Sequence, residues 1–182
     1  MKRCIVGVAM GLALMATTVN AQSLVPVSKP VSFGIAGGLS VPTGDYDELL
    51  KSGYNLSALL QFQGPLWPVA IRVEGQYQAL DVKDEIGDGN TKTIGGLANL
   101  LYYIPTQGIV KPYVTGGVGF FHVTGEAEGV DIDPENKFAY DFGAGVEFRL
   151  TGMSTFVEAN WQSIQTEDVA LRTIPIRVGI KF

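Results

Sequence analysis

The sequence predicts an all-β protein: a closed eight-stranded antiparallel up-and-down transmembrane β-barrel. Three observations predict this fold, namely eight segments of alternating apolar and polar residues, connections that are short and long in turn, and a last strand that ends on Phe182. Successive side chains of a β-strand point to opposite faces, so the alternation gives each segment one apolar face. A membrane barrel turns this face toward lipid and keeps polar side chains in its lumen.

The N-terminal segment is expected to be removed before the barrel forms. Residues 1–21 have the layout of a cleavable secretory signal peptide, with a basic start, an apolar run and a small-residue cleavage site that ends at Ala21. The only cysteine, Cys4, lies inside this segment, so we expect a mature protein without disulfides. Residues 22–30 are expected to be a short periplasmic lead-in, and residues 31–182 the outer-membrane β-barrel domain.

The composition argues against a helical protein and against a nucleic-acid partner. About 160 residues remain after the predicted cleavage, which is one domain. They are rich in glycine, valine, tyrosine and phenylalanine, and after Ala21 no apolar run approaches the roughly 20 residues of a spanning helix. The formal charge of -5 becomes -7 when Lys2 and Arg3 are lost, which excludes a basic phosphate-binding surface as the main function of this protein.

The first three predicted strands show the alternation most clearly. Residues 31–41 set large apolar side chains such as Phe33 against small ones such as Gly34, and residues 54–63 alternate apolar side chains with Asn, Ser and Gln. The contrast is sharpest in residues 69–80, where Val, Ile and Tyr alternate with Arg, Glu and Gln. A sheet with one apolar and one polar face follows from this pattern.

Five further strands follow the same rule. Residues 93–104, 113–123, 138–150 and 155–163 alternate in this way, and residues 174–182 alternate without a break to the aromatic end. Each predicted strand has about the nine to eleven residues that a tilted strand needs to cross a bilayer, or slightly more.

The connections alternate in length, which fixes the topology. Short turns on one side and long loops on the other are typical of barrels with periplasmic turns and extracellular loops, with both termini periplasmic. The short connections are residues 64–68, 105–111 and 151–154, and the long ones are residues 42–53, 81–92, 124–137 and 164–172.

The distribution of charge agrees with this topology. Of 18 acidic residues, 14 fall in the four long loops, and the lipid-facing side of the predicted strands carries no charge. The other four acidic residues share the predicted lumen with four basic ones, where an unpaired charge would cost several kcal/mol. The predicted lumen ion-pair network consists of Arg72, Glu74, Asp141, Glu147, Arg149, Glu158, Arg177 and Lys181.

Several motifs identify a family resemblance. The segments Phe33-Gly-Ile-Ala-Gly-Gly-Leu39, Pro112-Tyr-Val-Thr-Gly-Gly-Val-Gly119, Tyr140-Asp-Phe-Gly-Ala-Gly-Val-Glu147 and Arg177-Val-Gly-Ile-Lys-Phe182 resemble those of small eight-stranded bacterial outer-membrane β-barrels of the OmpA-transmembrane, OmpX and opacity-protein type. The resemblance implies that Val178, Ile180 and Phe182 form the C-terminal assembly signal. That family includes adhesins, membrane anchors and a few lipid-modifying enzymes.

The resemblance also implies a location and partners. We expect an exported, integral protein of the bacterial cell outer membrane, monomeric and without a cofactor. Its expected partners are outer-membrane lipid, lipopolysaccharide, the barrel-assembly machinery and periplasmic chaperones, and no nucleic acid.

The interior of such a barrel leaves little room for a pore. Eight strands enclose a space about wide enough for side chains to fill, and Leu59, Leu101, Tyr103 and Phe121 are predicted to point inward. We therefore expect a plugged lumen. Aromatic girdles mark the two membrane interfaces of such barrels, and we assign to them Trp67, Tyr77, Tyr102, Tyr113, Phe148 and Trp161.

Two groups of residues are weak candidates for chemistry. His122 and Thr124 point the same way near the end of the fifth strand, and a hydroxyl beside a base is the arrangement of a nucleophile. The pair is distantly similar to the site of lipid A deacylases, although Thr replaces Ser and no acidic partner is identifiable. Asp131, Asp133 and Glu135 offer oxygen ligands for a hard cation, but their spacing does not match an EF-hand.

The function predicted from the sequence is therefore non-enzymatic. We expect a barrel with a plugged, ion-paired lumen and a structural or surface-interaction role through its acidic extracellular loops. Two alternatives stay open: a lipid A-modifying enzyme, which depends on His122 and Thr124, and a soluble periplasmic ligand-binding barrel of lipocalin-like shape. The lipocalin-like alternative would place the apolar face inside.

Overall fold

The computed structural model describes most of the predicted barrel domain. The described residues are 30–44, 50–64, 66–81, 89–127, 130–165 and 170–182, and side chains are not described at residues 89 and 125–135. The predicted signal peptide lies outside them, as does nearly all of the predicted lead-in.

Eight antiparallel strands form one closed barrel, as the alternation predicts. Each strand pairs with its neighbours in sequence, and the first pairs with the last, with Ile35 opposite Ile180. The last residue takes part in this closure, because the Phe182 and Phe33 backbones exchange hydrogen bonds of 2.8 and 3.2 Å. The strands are β1 (Val31–Thr43), β2 (Gly53–Gln63), β3 (Val69–Asp81), β4 (Gly89–Tyr103), β5 (Val110–Ala127), β6 (Val130–Leu150), β7 (Met153–Ile164) and β8 (Leu171–Lys181).

The third long connection is shorter than predicted. Residues 124–137 are predicted as a loop, whereas β5 continues to Ala127 and β6 begins at Val130, so that this prediction is wrong for most of the segment. β4 likewise begins at Gly89, four residues before the predicted start. Beyond the bilayer a hairpin is held by its backbone hydrogen bonds and needs no apolar face, so hydrophobic alternation does not reveal it.

The apolar face of the barrel points outward and the polar face inward. Ile71 is 54% exposed, whereas the neighbouring Arg72 is 0% exposed. The same parity holds along β1, β2, β7 and β8. The lipocalin-like alternative requires the opposite arrangement and is therefore wrong. Among the described residues, no helix is long and apolar enough to cross a membrane.

Inward glycines allow large side chains to fit into the narrow lumen. Gly179 in β8 faces Phe156, and a Cβ atom at this position would overlap the Phe156 ring and lie 2.8 Å from Ala36 Cβ. Gly75 in β3 faces outward instead, and a Cβ atom there would lie 4.0 Å from Gly95 O, which is an ordinary contact. The two glycines therefore differ in what their substitution would disturb.

We predict that Gly179→Ala destabilises the folded barrel by about 1–3 kcal/mol, the usual cost of overpacking a core. Gly75→Ala is the matched control and should change stability by less than about 1 kcal/mol. The measurement is the urea midpoint of the heat-modifiable folded band on a gel. Equal midpoints for the two variants would contradict the packing argument, and Phe156→Leu should partly restore Gly179→Ala.

Candidate functional site

A cluster of four charged residues fills the middle of the lumen. Arg72 Nη1 lies 2.7 Å from Glu158 Oε2 and 3.9 Å from Glu74 Oε2. Arg177 Nη1 lies 2.8 Å from Glu74 Oε1, and Arg177 Nη2 pairs with Glu158 Oε1. The Tyr113 hydroxyl donates a hydrogen bond of 2.7 Å to Glu158. We call these four ions the central ion cluster; they are fully buried and their charges balance.

A second cluster lies nearer the short turns of the barrel. Lys181 Nζ is 2.6 Å from Glu147 Oε2, and Arg149 Nε is 3.0 Å from Glu147 Oε1. The Tyr103 hydroxyl donates to Glu147 and accepts from Gln61 Nε2 at 2.9 Å. This turn-end cluster has two cations and one carboxylate, and Arg149 is its most exposed member.

Asp141 is the fourth carboxylate of the lumen and is held differently. Asn99 Nδ2 donates to both of its oxygens at 3.0 and 3.1 Å, and Asn160 Nδ2 donates to Oδ2 at 3.0 Å. No lysine or arginine among the described residues lies within 4.0 Å of this carboxylate. The eight residues of the predicted network are thus all inside the barrel, but seven of them form ion pairs and Asp141 does not.

Neutral side chains fill the lumen on the loop side of these ions. Gln162 Nε2 donates to Gln76 Oε1 at 3.0 Å, and Asn55 Nδ2 donates to Ser40 Oγ at 3.0 Å. Beyond this polar layer an apolar cluster crosses the lumen. We call it the apolar cap; it consists of Leu50, Leu80, Leu97, Phe121, Ala139, Ile164 and Leu171.

The candidate catalytic pair lies on the outside of the barrel. His122 Nδ1 and Asn136 Oδ1 are 3.2 Å apart, and the Thr124 hydroxyl donates to the backbone oxygen of Lys92 at 3.2 Å. The hydroxyl is therefore engaged with the backbone, and no carboxylate among the described side chains bonds to His122. This geometry lacks both a base on the hydroxyl and an acidic group on the base.

The predicted interface aromatics separate into two groups. Trp67 and Tyr102 are exposed, and Trp161 packs outside the barrel against Tyr140 and Phe142 with ring centroids 5.8 and 5.1 Å apart. The prediction for Tyr113 is wrong. Its side chain is buried in the lumen, because residue 113 shares the inward parity of Thr115 and Phe121. The outward group comprises Trp67, Tyr77, Tyr102, Phe148 and Trp161.

The candidate cation ligands lie outside the described side chains. Asp131, Asp133 and Glu135 belong to the loop-end part of β6, where only the backbone is described. In the described part of the chain, no group of three or more His, Cys, Asp or Glu side chains is arranged to hold a metal ion.

A family comparison identifies this architecture. The model of the outer membrane protein beta-barrel domain matches residues 8–182. The chain belongs to this family. Its members are barrels of the outer membrane, so the apolar face of the described strands is a lipid-facing surface.

Solved structures share the outer-membrane barrel fold. Neisserial surface protein A has a TM-score of 0.67 at 13% identity, with 84% of this chain and 96% of that chain covered. Ail of Yersinia pestis has a TM-score of 0.51 at 17% identity, with 85% and 100% covered. OprG of Pseudomonas aeruginosa has a TM-score of 0.50 at 15% identity, with 85% and 97% covered. These identities are too low to show more than the fold. A comparison with curated proteins found no match.

Sequence reasoning missed several residues of this barrel interior. The alternation predicts that Asn99 and Asn160 point inward. A neutral amide has no charge, however, that would identify it as a member of the ion-pair network. Leu50 lies in a predicted long loop, so the alternation of the strands does not indicate that it belongs to the apolar cap. The alternation along a strand therefore predicts which side chains point into the lumen. Which of them contact each other depends on the three-dimensional register of the strands.

We predict that Glu158→Gln and Asp141→Asn differ widely in their effects on the stability of this outer-membrane barrel. Glu158→Gln leaves Arg72 and Arg177 with excess buried positive charge and should cost about 3–5 kcal/mol. Asp141→Asn removes a carboxylate that has no paired cation and should change stability by less than about 1 kcal/mol. Urea titration of the folded band provides both values. A larger loss for Asp141→Asn than for Glu158→Gln would refute the assignment of the ion pairs.

Proposed function

We propose that this chain is a non-enzymatic, monomeric outer-membrane barrel with a plugged lumen, whose structural or surface-interaction role is carried by its acidic extracellular loops. The observation that carries the proposal is the filling of the interior in successive layers. The turn-end cluster, the central ion cluster, the neutral polar layer and the apolar cap follow one another along the barrel axis. Family membership supports the location in the outer membrane.

The layers oppose conduction in two different ways. A hydrated ion on this path would have to disrupt buried ion pairs in the middle of the barrel and then cross the apolar cap without its water. Larger barrels of about 16 strands keep an aqueous channel, whereas eight strands leave an interior that side chains fill. The interior thus stabilises the barrel, and the partners of this protein act on its outer surfaces.

The charge of the loops favours one class of surface partner. The predicted long loops contain fourteen acidic residues and five basic ones, namely Lys51, Lys83, Lys92, Lys137 and Arg172. The structure of Ail was determined in complex with the heparin analogue sucrose octasulfate. A similar polyanion would be repelled by the loops of this chain, so we propose cationic partners, or divalent cations that bridge the loops to lipopolysaccharide phosphates.

Non-enzymatic function is also supported by the surroundings of His122 and Thr124. The histidine contacts an amide oxygen of Asn136, and the threonine hydroxyl donates to a backbone carbonyl. A nucleophile activated by a base requires a hydrogen bond between the two groups.

We predict that the purified barrel does not conduct ions across a planar lipid bilayer. A larger porin reconstituted in the same lipid serves as the positive control, and a heat-modifiable gel band verifies that the inserted protein is folded. Discrete, reproducible conductance steps from the folded protein would overturn the plugged lumen. Truncation of Leu80, Leu97 and Phe121 to Ala should leave the barrel non-conducting, because the central ion cluster remains.

We predict that the barrel does not modify lipid A. The mass spectrum of lipid A should be identical in cells that express the wild-type chain, His122→Ala and Thr124→Val, and in cells that express none of them. A lipid A species that appears with the wild-type chain and disappears with His122→Ala would establish the enzyme alternative.

A further inference from the structure

A groove of about 850 Å³ lies on the outer surface of β1 to β4 and β8. Its volume is within the range of roughly 300–1,000 Å³ that is usual for small-molecule sites. The outward-facing part of the floor consists of Gly37, Ala58 and Gly75. Large apolar side chains and one tyrosine rise around it: Ile35, Leu56, Tyr77, Ile94, Val178 and Ile180.

The strand register explains why the groove exists. Ala58 pairs with Gly75, and Gly75 pairs with Gly96, so three neighbouring strands place small residues at the same height. Two residues nearer the loops, the same strands place Leu56, Tyr77 and Ile94 side by side. A row of small residues beneath a row of large ones produces a depression in the lipid-facing surface.

Backbone packing does not require these small residues. At the inward Gly119 a Cβ atom would overlap the backbone of Gly96, so that position needs glycine. A Cβ atom at Gly75 or Gly96 would lie 4.0 or 3.4 Å from a backbone oxygen, which is an ordinary contact distance. Glycine weakens a strand interior, and it often marks a bulge, a tight bend, or a place where a ligand or another backbone approaches closely.

The loop-side end of the groove is polar. The rings of Tyr77 and Tyr54 have centroids 6.1 Å apart there. Lys92 lies on the outward face of β4, two residues beyond Ile94 of the groove wall, and is exposed. Among the described residues no carboxylate lies within 4.0 Å of its ammonium group. His122 is opposite Ile94 in β5, so an imidazole lies beside the same end.

An apolar groove with an exposed lysine on the same face, two residues beyond its loop-side wall, is complementary to a lipid with an anionic headgroup. The groove opens toward the hydrocarbon of the bilayer, where an acyl chain is the available ligand. The attraction between one basic residue near a membrane surface and anionic lipid contributes about 1 kcal/mol to the free energy of binding. The loop end of the barrel faces the extracellular leaflet in the proposed orientation, and the anionic lipid of that leaflet is lipopolysaccharide.

We propose that the groove seats one acyl chain of a lipopolysaccharide molecule and that Lys92 binds a lipid A phosphate of the same molecule. The inference rests on the proposed orientation of the barrel, with its loops outside the cell. In this arrangement the Tyr54 and Tyr77 hydroxyls lie at headgroup level, and the His122 ring provides a further polar contact. His122 thus has a binding role that requires no catalytic partner.

Native mass spectrometry of the folded barrel with a rough-type lipopolysaccharide of defined mass tests the site. Ala58→Phe fills the groove floor, and Ala144→Phe is the matched control because Ala144 is an exposed outward residue of β6, outside the groove. Lys92→Gln removes the headgroup charge, and Lys111→Gln at the turn side is its control. All four variants are compared with the wild-type chain as heat-modifiable, folded barrels.

We expect one bound lipopolysaccharide in the wild-type barrel and in both controls. Ala58→Phe should weaken binding about tenfold or more, and Lys92→Gln about fivefold. If Ala58→Phe binds lipopolysaccharide as tightly as the wild-type barrel, the groove is not the acyl-chain site. Equal binding of a zwitterionic phospholipid of similar chain length would overturn the phosphate assignment. So would a Lys92→Gln variant that binds lipopolysaccharide as tightly as the wild-type barrel.

A folded, non-conducting barrel that binds no lipopolysaccharide would refute this site alone and leave the plugged lumen intact, since conductance measures the lumen independently. If the wild-type barrel instead binds a second copy of this chain and Ala58→Phe abolishes that binding, the groove is a dimer surface. This result would also overturn the lipid proposal.

Discussion

The buried ion pairs of the lumen are the interaction on which the rest of this structure depends. The outer face of the barrel must be apolar because it meets lipid, so polar side chains point into an interior that is about as wide as the side chains themselves. Charge in such a place is tolerated only when it is paired and hydrogen-bonded. Arg72 therefore meets Glu158 across the lumen at 2.7 Å and stacks over the Phe156 ring, with its guanidinium carbon 5.3 Å from the ring centroid. These contacts join β3 to β7, strands that are not neighbours in the sheet.

Charge balance holds for the interior as a whole, and it does not hold for each cluster. The central ion cluster is neutral, the turn-end cluster has one extra cation, and Asp141 is an extra anion that, among the described residues, is held by amide groups. Asn160 links these groups, because its Nδ2 donates to Glu158 as well as to Asp141. Hydrogen-bonded amides thus carry the network between carboxylates that would repel each other in direct contact.

Much of the fold was predictable from the sequence because one physical period governs all eight strands. The period of two gives the faces, and the aromatic C-terminus gives the orientation, so the interior position of Arg177 and the outward position of Val178 follow directly. Tyr113 shows how a second criterion misleads: its place near a strand end suggested an interface, whereas its parity required the lumen. The pairing of Arg72 with Glu158 was not predictable, because it depends on the shear of the closed sheet, which no local pattern encodes.

The glycines are of two kinds. Some are needed because the closed barrel leaves no room for a side chain, and others lie where the neighbouring strands would allow one. At Gly38 and Gly119 any side chain would overlap the neighbouring strand, so these residues are consequences of the narrow barrel. At Gly75 the surroundings are open, and the bilayer would accept a larger apolar side chain at no cost in packing. Because side chains that stabilise the barrel occupy its described lumen, the proposed recognition is assigned to the loops and the lipid-facing surface. An outward glycine that packing does not require is therefore the kind of position at which this small barrel can differ in function from others of its shape.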